Sequence, residues 1–214
     1  MPYLPYNMAD YRLYLVTDSS NRSIAELCCI VEKAIQGGVT IVQLREKTMD
    51  TKTFYETALA VKEITRRAKV PLIINDRLDI ALAVNADGLH IGQQDMPYNI
   101  VRALLGEDKI IGLSVETITQ AKEANDLDVD YIGLSPVFST ATKEDIAAPL
   151  GIEGIKEIAS FSKHPMVGIG GIKTHNIKEV MQAGCNGIAV VSAIMDSKDP
   201  CLAAEELILN ILEN

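Results

Sequence analysis

The chain has 214 residues and a formal charge of −9, from 29 acidic against 20 basic side chains. That length suits one domain, stands near the short end for a (β/α)8 barrel, and allows a core that needs no metal or disulfide staples. The acidic balance excludes bulk attraction to polyanions, so nucleic acid and anionic membrane are poor partners, and any bound phosphate must be held by a few placed groups and a metal.

Apolar residues make up 48% of the chain and Trp is absent, which excludes disorder and suits parallel strands covered by helices. Cys28, Cys29, Cys185 and Cys201 contain no C-x-x-C pair and read as small core residues in a reducing compartment. The opening MPYLPYNMADY has no basic stretch followed by an apolar one, and no apolar run approaches the roughly 18 residues of a membrane span. The expected compartment is the cytoplasm.

In chain order, Arg12–Asp18 predicts the first strand, followed by a helix over Ser23–Gln36 that opens on a Ser23/Glu26 capping box and stops before Gly37-Gly38. Val39–Glu46 predicts the second strand, and Met49–Ala68 a helix with Phe54, Ala58, Val61 and Ile64 on one face. Strands over Pro71–Asp76, Asp87–Gly92, Lys109–Ser114, Asp130–Pro136, Pro165–Gly171 and Asn186–Ser192 complete the set, with a helix over Thr174–Ala183 ending at Gly184. Strands alternating with helices imply βαβ units and a parallel sheet. Eight such units without room for a second domain imply an α/β fold, a single (β/α)8 TIM barrel over residues 1–214. No Gly-rich turn follows the first strand, which argues against a dinucleotide-binding fold. The polar stretch Phe138–Gly151 has no clear periodicity, so residues 138–151 are the candidate active-site loop.

Active sites of such barrels lie at the C-terminal ends of the strands. At the second strand, alternation places Gln43, Arg45 and Lys47 on one side as a cationic patch, or as plain surface charge. Asn75 and Asp76 end the third strand, and Asp95 follows the fourth. Two carboxylates at neighbouring strand ends can share one Mg²⁺ with substrate phosphates, although each could instead cap the helix that follows it. His90 reads as a hydrogen-bonded barrel residue rather than a ligand. Ser114 ends the fifth strand, and the loop after the sixth offers Thr140, Thr142 and Lys143. Gly170-Gly171 and Val191-Ser192, after strands seven and eight, occupy the recurrent phosphate site of these barrels, or a tight turn. Cations and a phosphate cup on opposite sides of one rim suggest two phosphorylated ligands, or one with phosphate at both ends.

Six segments in register resemble the thiamine phosphate synthase family: QLREK at Gln43–Lys47, IINDR at Ile73–Arg77, GLHIGQQD at Gly88–Asp95, GLSPVFSTATK at Gly133–Lys143, GIGGI at Gly168–Ile172 and GIAVVSAI at Gly187–Ile194. The resemblance spans nearly the whole chain. It implies a transferase that joins hydroxymethylpyrimidine diphosphate to hydroxyethylthiazole phosphate, giving thiamine phosphate and pyrophosphate. Carried over residue by residue, Gln43, Arg45, Lys47, Asn75 and Lys143 would hold the pyrimidine diphosphate. Ser114 would sit beside the pyrimidine and pyrophosphate, and Asp76 and Asp95 would coordinate Mg²⁺. Thr140, Thr142, Gly171, Val191 and Ser192 would bind the thiazole phosphate. Arg45, Lys47, Ser114 and Lys143 would carry the catalysis. The implied partners are these small molecules, with a second copy of the chain, as a homo-oligomer, left open. One departure is Glu116, where the family often carries His.

Three other readings compete. A thiazole tautomerase resembles the synthase but tends to lose the Thr-x-Thr-Lys loop and the diphosphate-binding residues, which are kept here. A sugar-phosphate isomerase or epimerase would need a general acid and base, and none stands out. A sensor of thiamine precursors would need neither the carboxylates nor Lys143.

Overall fold

The computed structural model describes residues 9–19, 22–139 and 148–213. Eight parallel strands close a barrel in chain order: β1 Leu13–Val16, β2 Ile41–Leu44, β3 Leu72–Asn75, β4 Gly88–Ile91, β5 Ile110–Val115, β6 Tyr131–Leu134, β7 Met166–Ile169 and β8 Gly187–Val190. β8 pairs back onto β1, with Tyr14 beside Ala189. Seven strands fall inside the range their apolar run predicts, and β5 runs one residue further, to Val115. Those runs do not alternate in polarity because both faces are buried. Leu13, Leu15, Val42, Leu44, Leu72 and Ile74 face the helices in one large apolar cluster. Tyr14, Val16, Ile41, Ile73, Tyr131 and Val167 belong to a smaller cluster inside the barrel.

The covering helices are α1 Ile24–Gln36, α2 Thr51–Ala68, α3 Leu78–Ala83, α4 Tyr98–Leu105, α5 Ile118–Ala124, α6 Gly151–Ala159, α7 Ile177–Gln182, α8 Ser192–Met195 and α9 Pro200–Leu212. The Ser23/Glu26 capping box is formed: Glu26 N–H donates to Ser23 Oγ at 3.2 Å, and Ser23 N–H to Glu26 Oε2 at 2.8 Å. α2 starts two residues later than expected, because Asp50 accepts from Thr53 N–H (3.1 Å) and so stands outside the helix as its cap. The helix expected over Thr174–Ala183 divides into a 3₁₀ turn at Thr174–Asn176 and then α7. Gly184 follows it with φ +119°. The cysteines need a correction, since only Cys185 is buried. Cys28 and Cys201 are half-buried, and Cys29 is exposed on α1. Among the described residues no helix is long and apolar enough to cross a membrane.

One device recurs at the closed end of the barrel. The polar residue just before each even-numbered strand accepts a backbone N–H from the first or second residue of the odd strand beside it. Thr40 Oγ1 takes Leu13 N–H (3.1 Å), and Asp87 Oδ2 takes Leu72 N–H (2.8 Å). Asp130 Oδ2 takes Ile111 N–H (2.8 Å), and Asn186 Oδ1 takes Met166 N–H (2.8 Å). Donors at strand starts that the ladder leaves open are satisfied this way. Lys62 pairs with Asp87 (2.6 Å) and Arg102 with Asp130 (3.1 Å), which anchors α2 and α4 beneath the strands.

Inside, size decides placement. Tyr131 is fully buried, and its ring occupies the space that a side chain at Gly112 would need: a Cβ there would lie 2.1 Å from Tyr131 Cζ. Gly112→Ala should therefore lower unfolding stability by about 1–3 kcal/mol, the usual cost of overpacking. Urea melts that superimpose on those of the unsubstituted protein would show that the barrel centre can repack.

Candidate active site

The C-terminal ends of the strands open onto a cavity of about 1120 Å³ to which all eight strands contribute. Gln43, Arg45, Lys47, Asn75, Asp76, Asp95, Ser114, Gly171, Val191 and Ser192 all line it. Residues singled out from six separate stretches of sequence thus share one hollow. Thr140, Thr142 and Lys143 lie outside the described residues. The two ends of the loop that holds them are fixed. Leu150 N–H donates to Pro136 O and Gly151 N–H to Val137 O, both at 3.0 Å.

The cationic side is built on β2. Arg45 is positioned through its backbone N–H, which donates to Thr17 Oγ1 (3.2 Å), leaving the guanidinium for the cavity. Among the described residues neither Arg45 nor Lys47 forms an ion pair. Such long cations, unpaired beside a hollow, suit an anionic ligand.

Beside them, after the neighbouring strands β3 and β4, stand two carboxyls. Asp76 follows β3 in the left-handed region, φ +62°, with its N–H donated to His90 O at 2.9 Å. A residue other than glycine adopts this backbone at a cost, and such strain collects at functional sites. Asp95 is tied back on its own loop, accepting from Gly92 N–H at 2.7 Å. Neither residue caps the helix that follows: α3 and α4 have no side-chain cap, and Arg77 and Pro97 occupy the cap positions. The capping alternative is thereby overturned for both. Burial first, then contact with the Asp95 carboxyl and its charge, pushes Asp76 up to about 6 against smaller lowering effects of Lys47 and Arg45. Among the described residues no three His, Cys, Asp or Glu side chains gather as a metal cage. A cation held here would need oxygens from its ligand.

The floor of the cavity is a chain of hydrogen bonds. Gln43 Nε2 donates to Tyr14 Oη (2.9 Å), and the Tyr14 and Tyr131 hydroxyls meet at 2.7 Å. His90 Nδ1 lies 2.9 Å from Tyr131 Oη, and His90 Nε2 lies 2.8 Å from Ser114 Oγ. His90 is thus the hydrogen-bonded barrel residue expected of it. Burial pushes both tyrosine hydroxyls well above the ordinary phenol range, so both keep their protons. Tyr14 and Tyr131 were not among the predicted site residues. Their signal was present, because alternation along β1 and β6 points them inward.

Across the cavity, Gly170 (φ +99°) and Gly171 (φ +65°) turn sharply after β7. A Cβ on Gly171 would meet Phe138 Cβ at 2.7 Å and Ser139 O at 2.8 Å, so this turn is pressed against the loop after β6. Val191 and Ser192 begin α8 beside it. Lys173 and Glu206 also line this side, and neither was predicted.

A family model described as thiamine monophosphate synthase matches residues 13–194. The chain belongs to the thiamine monophosphate synthase family. It is 50% identical over 201 residues to a thiamine-phosphate synthase of Clostridium botulinum, covering 94% of this chain and 98% of that one. A thiamine-phosphate synthase of Vibrio campbellii is also 50% identical over 201 residues, with the same shares covered. The solved structure of a Pyrococcus furiosus thiamine phosphate pyrophosphorylase superposes with a TM-score of 0.87 at 36% identity, covering 96% of this chain and 97% of that one. The activity is that of a thiamine-phosphate synthase, a transferase of thiamine biosynthesis. Within this family member Glu116, the departure noted in the sequence, lines the cavity half-buried, with its backbone N–H donated to Gln120 Oε1 at 2.7 Å.

The raised Asp76 has a consequence for stability. A carboxyl that binds its proton more tightly in the fold than in the unfolded chain favours the fold at low pH, and that contribution is lost as pH rises through about 6. In EDTA, Asp76→Asn should raise the thermal midpoint above that pH, with the advantage shrinking toward about pH 4. A lower midpoint for the variant at neutral pH would contradict the repulsion between the two carboxyls.

Proposed function

We propose that this site joins hydroxymethylpyrimidine diphosphate and hydroxyethylthiazole phosphate, releasing pyrophosphate, with Mg²⁺ as its cofactor. The observation that carries this reading is the placement of Arg45 and Lys47, without an ion pair among the described residues, beside the Asp76–Asp95 pair at the ends of neighbouring strands. A diphosphate lying over them would meet the cations and a metal site together. In this reading Gln43, Asn75 and Ser114 hold the pyrimidine end, Arg45, Lys47 and Lys143 grip the diphosphate, and Thr140, Thr142, Gly171, Val191 and Ser192 take the thiazole phosphate. Residues 138–151 serve as the active-site loop of one domain spanning residues 1–214. The compartment we assign is the cytoplasm, in keeping with four free thiols.

Two carboxyls, one of them pushed up by burial and then by the other, are a fitting donor set for a hard cation that takes its remaining ligands from phosphate and water. Asp76 and Asp95 would hold Mg²⁺, which when bound would neutralise charge on the diphosphate. The chain's own part is electrostatic. As the carbon–oxygen bond to the diphosphate breaks, charge gathers on the departing oxygens, where Arg45 and Lys47, with Lys143 from the loop after β6, would stabilise it. The pyrimidine-methylene cation left behind is captured by the thiazole ring nitrogen through its lone pair. That nitrogen carries no proton to remove, so the site needs no general base. This agrees with a floor whose tyrosines keep their protons.

The test is formation of thiamine phosphate and pyrophosphate from the two purified substrates, with Mg²⁺ and with EDTA. Both products should appear only with the ion, and their absence from the Mg²⁺ reaction would overturn the assignment. Asp95→Asn should abolish turnover while sparing thiazole phosphate binding. Lys143→Ala should slow turnover by about a hundredfold, or roughly 3 kcal/mol of transition-state stabilisation. Wild-type kinetics in either variant would remove that residue from the machinery.

A further inference from the structure

A single exposed leucine on a helix is ordinary, whereas a row of them across adjoining helices marks a surface that something covers. Among the described residues nine large apolar side chains are exposed. Six of them, Tyr55, Leu59, Leu82, Met96, Ile100 and Leu104, belong to α2, α3, α4 or the turn before α4. The other three, Leu202, Leu209 and Leu212, lie on α9.

The six lean toward one another. α2, α3 and α4 are neighbours around the barrel, and residues three, four and seven apart share a helix face. On α2, Tyr55, Leu59 and Lys62 have that spacing. Lys62 reaches Asp87 at the foot of β4 (2.6 Å), so this stripe is turned toward α3. On α4, Tyr98 and Arg102 turn the other way, donating to Asp128 O at 2.7 and 3.2 Å. Ile100 and Leu104 are thereby left on the flank beside α3, and Leu82 stands between the two stripes. With each side chain 38% to 55% exposed, the patch is on the order of 500 Å². A polar rim around it brings the face to the roughly 800 Å² per partner of a standard interface.

Charge decides what can cover it. Residues 51–105, which hold the three helices, carry seven basic and six acidic side chains, a net +1. The rest of the chain carries a net −10, so two copies repel each other over most of their surface. Around the patch the charges are already paired within the chain: Lys52 with Glu56 (4.0 Å), Arg66 with Glu63 (3.0 Å) and Arg77 with Asp79 (2.6 Å). Nothing in that rim calls for a charged partner. An apolar patch inside a neutral rim is its own complement when turned about a two-fold axis, and homodimer interfaces are the more apolar class.

We infer that the α2–α3–α4 face docks a second copy of this chain, forming a two-fold dimer through Tyr55, Leu59, Leu82, Met96, Ile100 and Leu104. The catalytic cavity stays open to solvent at the strand ends, and the described side chains that line it come from one chain.

Sedimentation of the full chain at micromolar concentration should show a species of two 23.3 kDa chains. Leu59→Glu and Ile100→Glu each place a carboxylate in the interface twice, once per copy, and each should weaken dimerisation by about a hundredfold or more. Leu209→Glu, on α9 and equally exposed, should leave the dimer unchanged. Hydrogen exchange of the unsubstituted protein gives a second reading that needs no variant to fold. Amides of α2, α3 and α4 should exchange more slowly in concentrated than in dilute protein, with α9 unaffected. A monomer at every concentration, an assembly larger than a dimer, a dimer that survives both glutamates, or protection that appears on α9 instead would each overturn the inference.

Discussion

The centre of an eight-stranded barrel has room for few large side chains, and Tyr131 takes much of it. Its ring is fully buried, 5.0 Å from the ring of Tyr11 and 5.7 Å from that of Tyr14. β5 gives way with Gly112 and β6 with Gly133, against which His90 lies. Once the phenol is there, its hydroxyl must be satisfied, because a buried polar group without a partner costs more than a typical hydrogen bond gains. Tyr14 and His90 satisfy it, and each is satisfied in turn by a residue nearer the mouth, Gln43 and Ser114. Packing at the centre thereby determines which polar atoms reach the ligand. The apolar side of the same strands, facing the helices, is free to be mostly Leu, Ile and Val.

Charge follows the opposite logic. The chain carries a net −9, so the molecule as a whole does not attract a phosphorylated substrate. Many of its cations are engaged in ion pairs away from the cavity, Lys62 with Asp87 and Arg102 with Asp130 at the base of the strands. Among the described residues Arg45 and Lys47 are kept out of such pairs at the mouth, where a ligand can use them. Binding on this pattern depends on a few placed contacts, each of which is strong only because the cavity wall reduces screening by water.

The barrel was legible because its strands are short apolar runs bounded by charged or turn residues, and eight of them in alternation with helices leave few other folds. The rim was legible because strand ends in such a barrel face one way. Gln43, Arg45, Asn75 and Ser114 could be found by that rule alone. The same alternation would have exposed Tyr14 and Tyr131, had inward aromatic residues been weighed along with polar ones. Other features become visible only with strand pairing. Thr40, Asp87, Asp130 and Asn186 look like unrelated polar residues until Leu13, Leu72, Ile111 and Met166 are seen beside them. The left-handed turn at Asp76 has no glycine to announce it, and the cap role that its sequence position suggested belongs to neither it nor Asp95.

Asp76 also shows how the fold bears the cost of its site. Two carboxyls brought together with one of them half-buried repel, and a chain free to relax would turn them apart. Here the backbone forbids it. Asp76 is held at φ +62° by the bond of its N–H to His90 O, and Asp95 is held by the N–H of Gly92. His90 is itself fixed at both ring nitrogens by Tyr131 and Ser114. β4 and the residue after it, which carry His90 and Gly92, therefore join the hydrogen-bonded floor to the carboxyl pair. The pair does not have to be assembled when a ligand arrives, and its repulsion is present beforehand. Rigidity at the barrel centre and instability at its mouth are two consequences of one network.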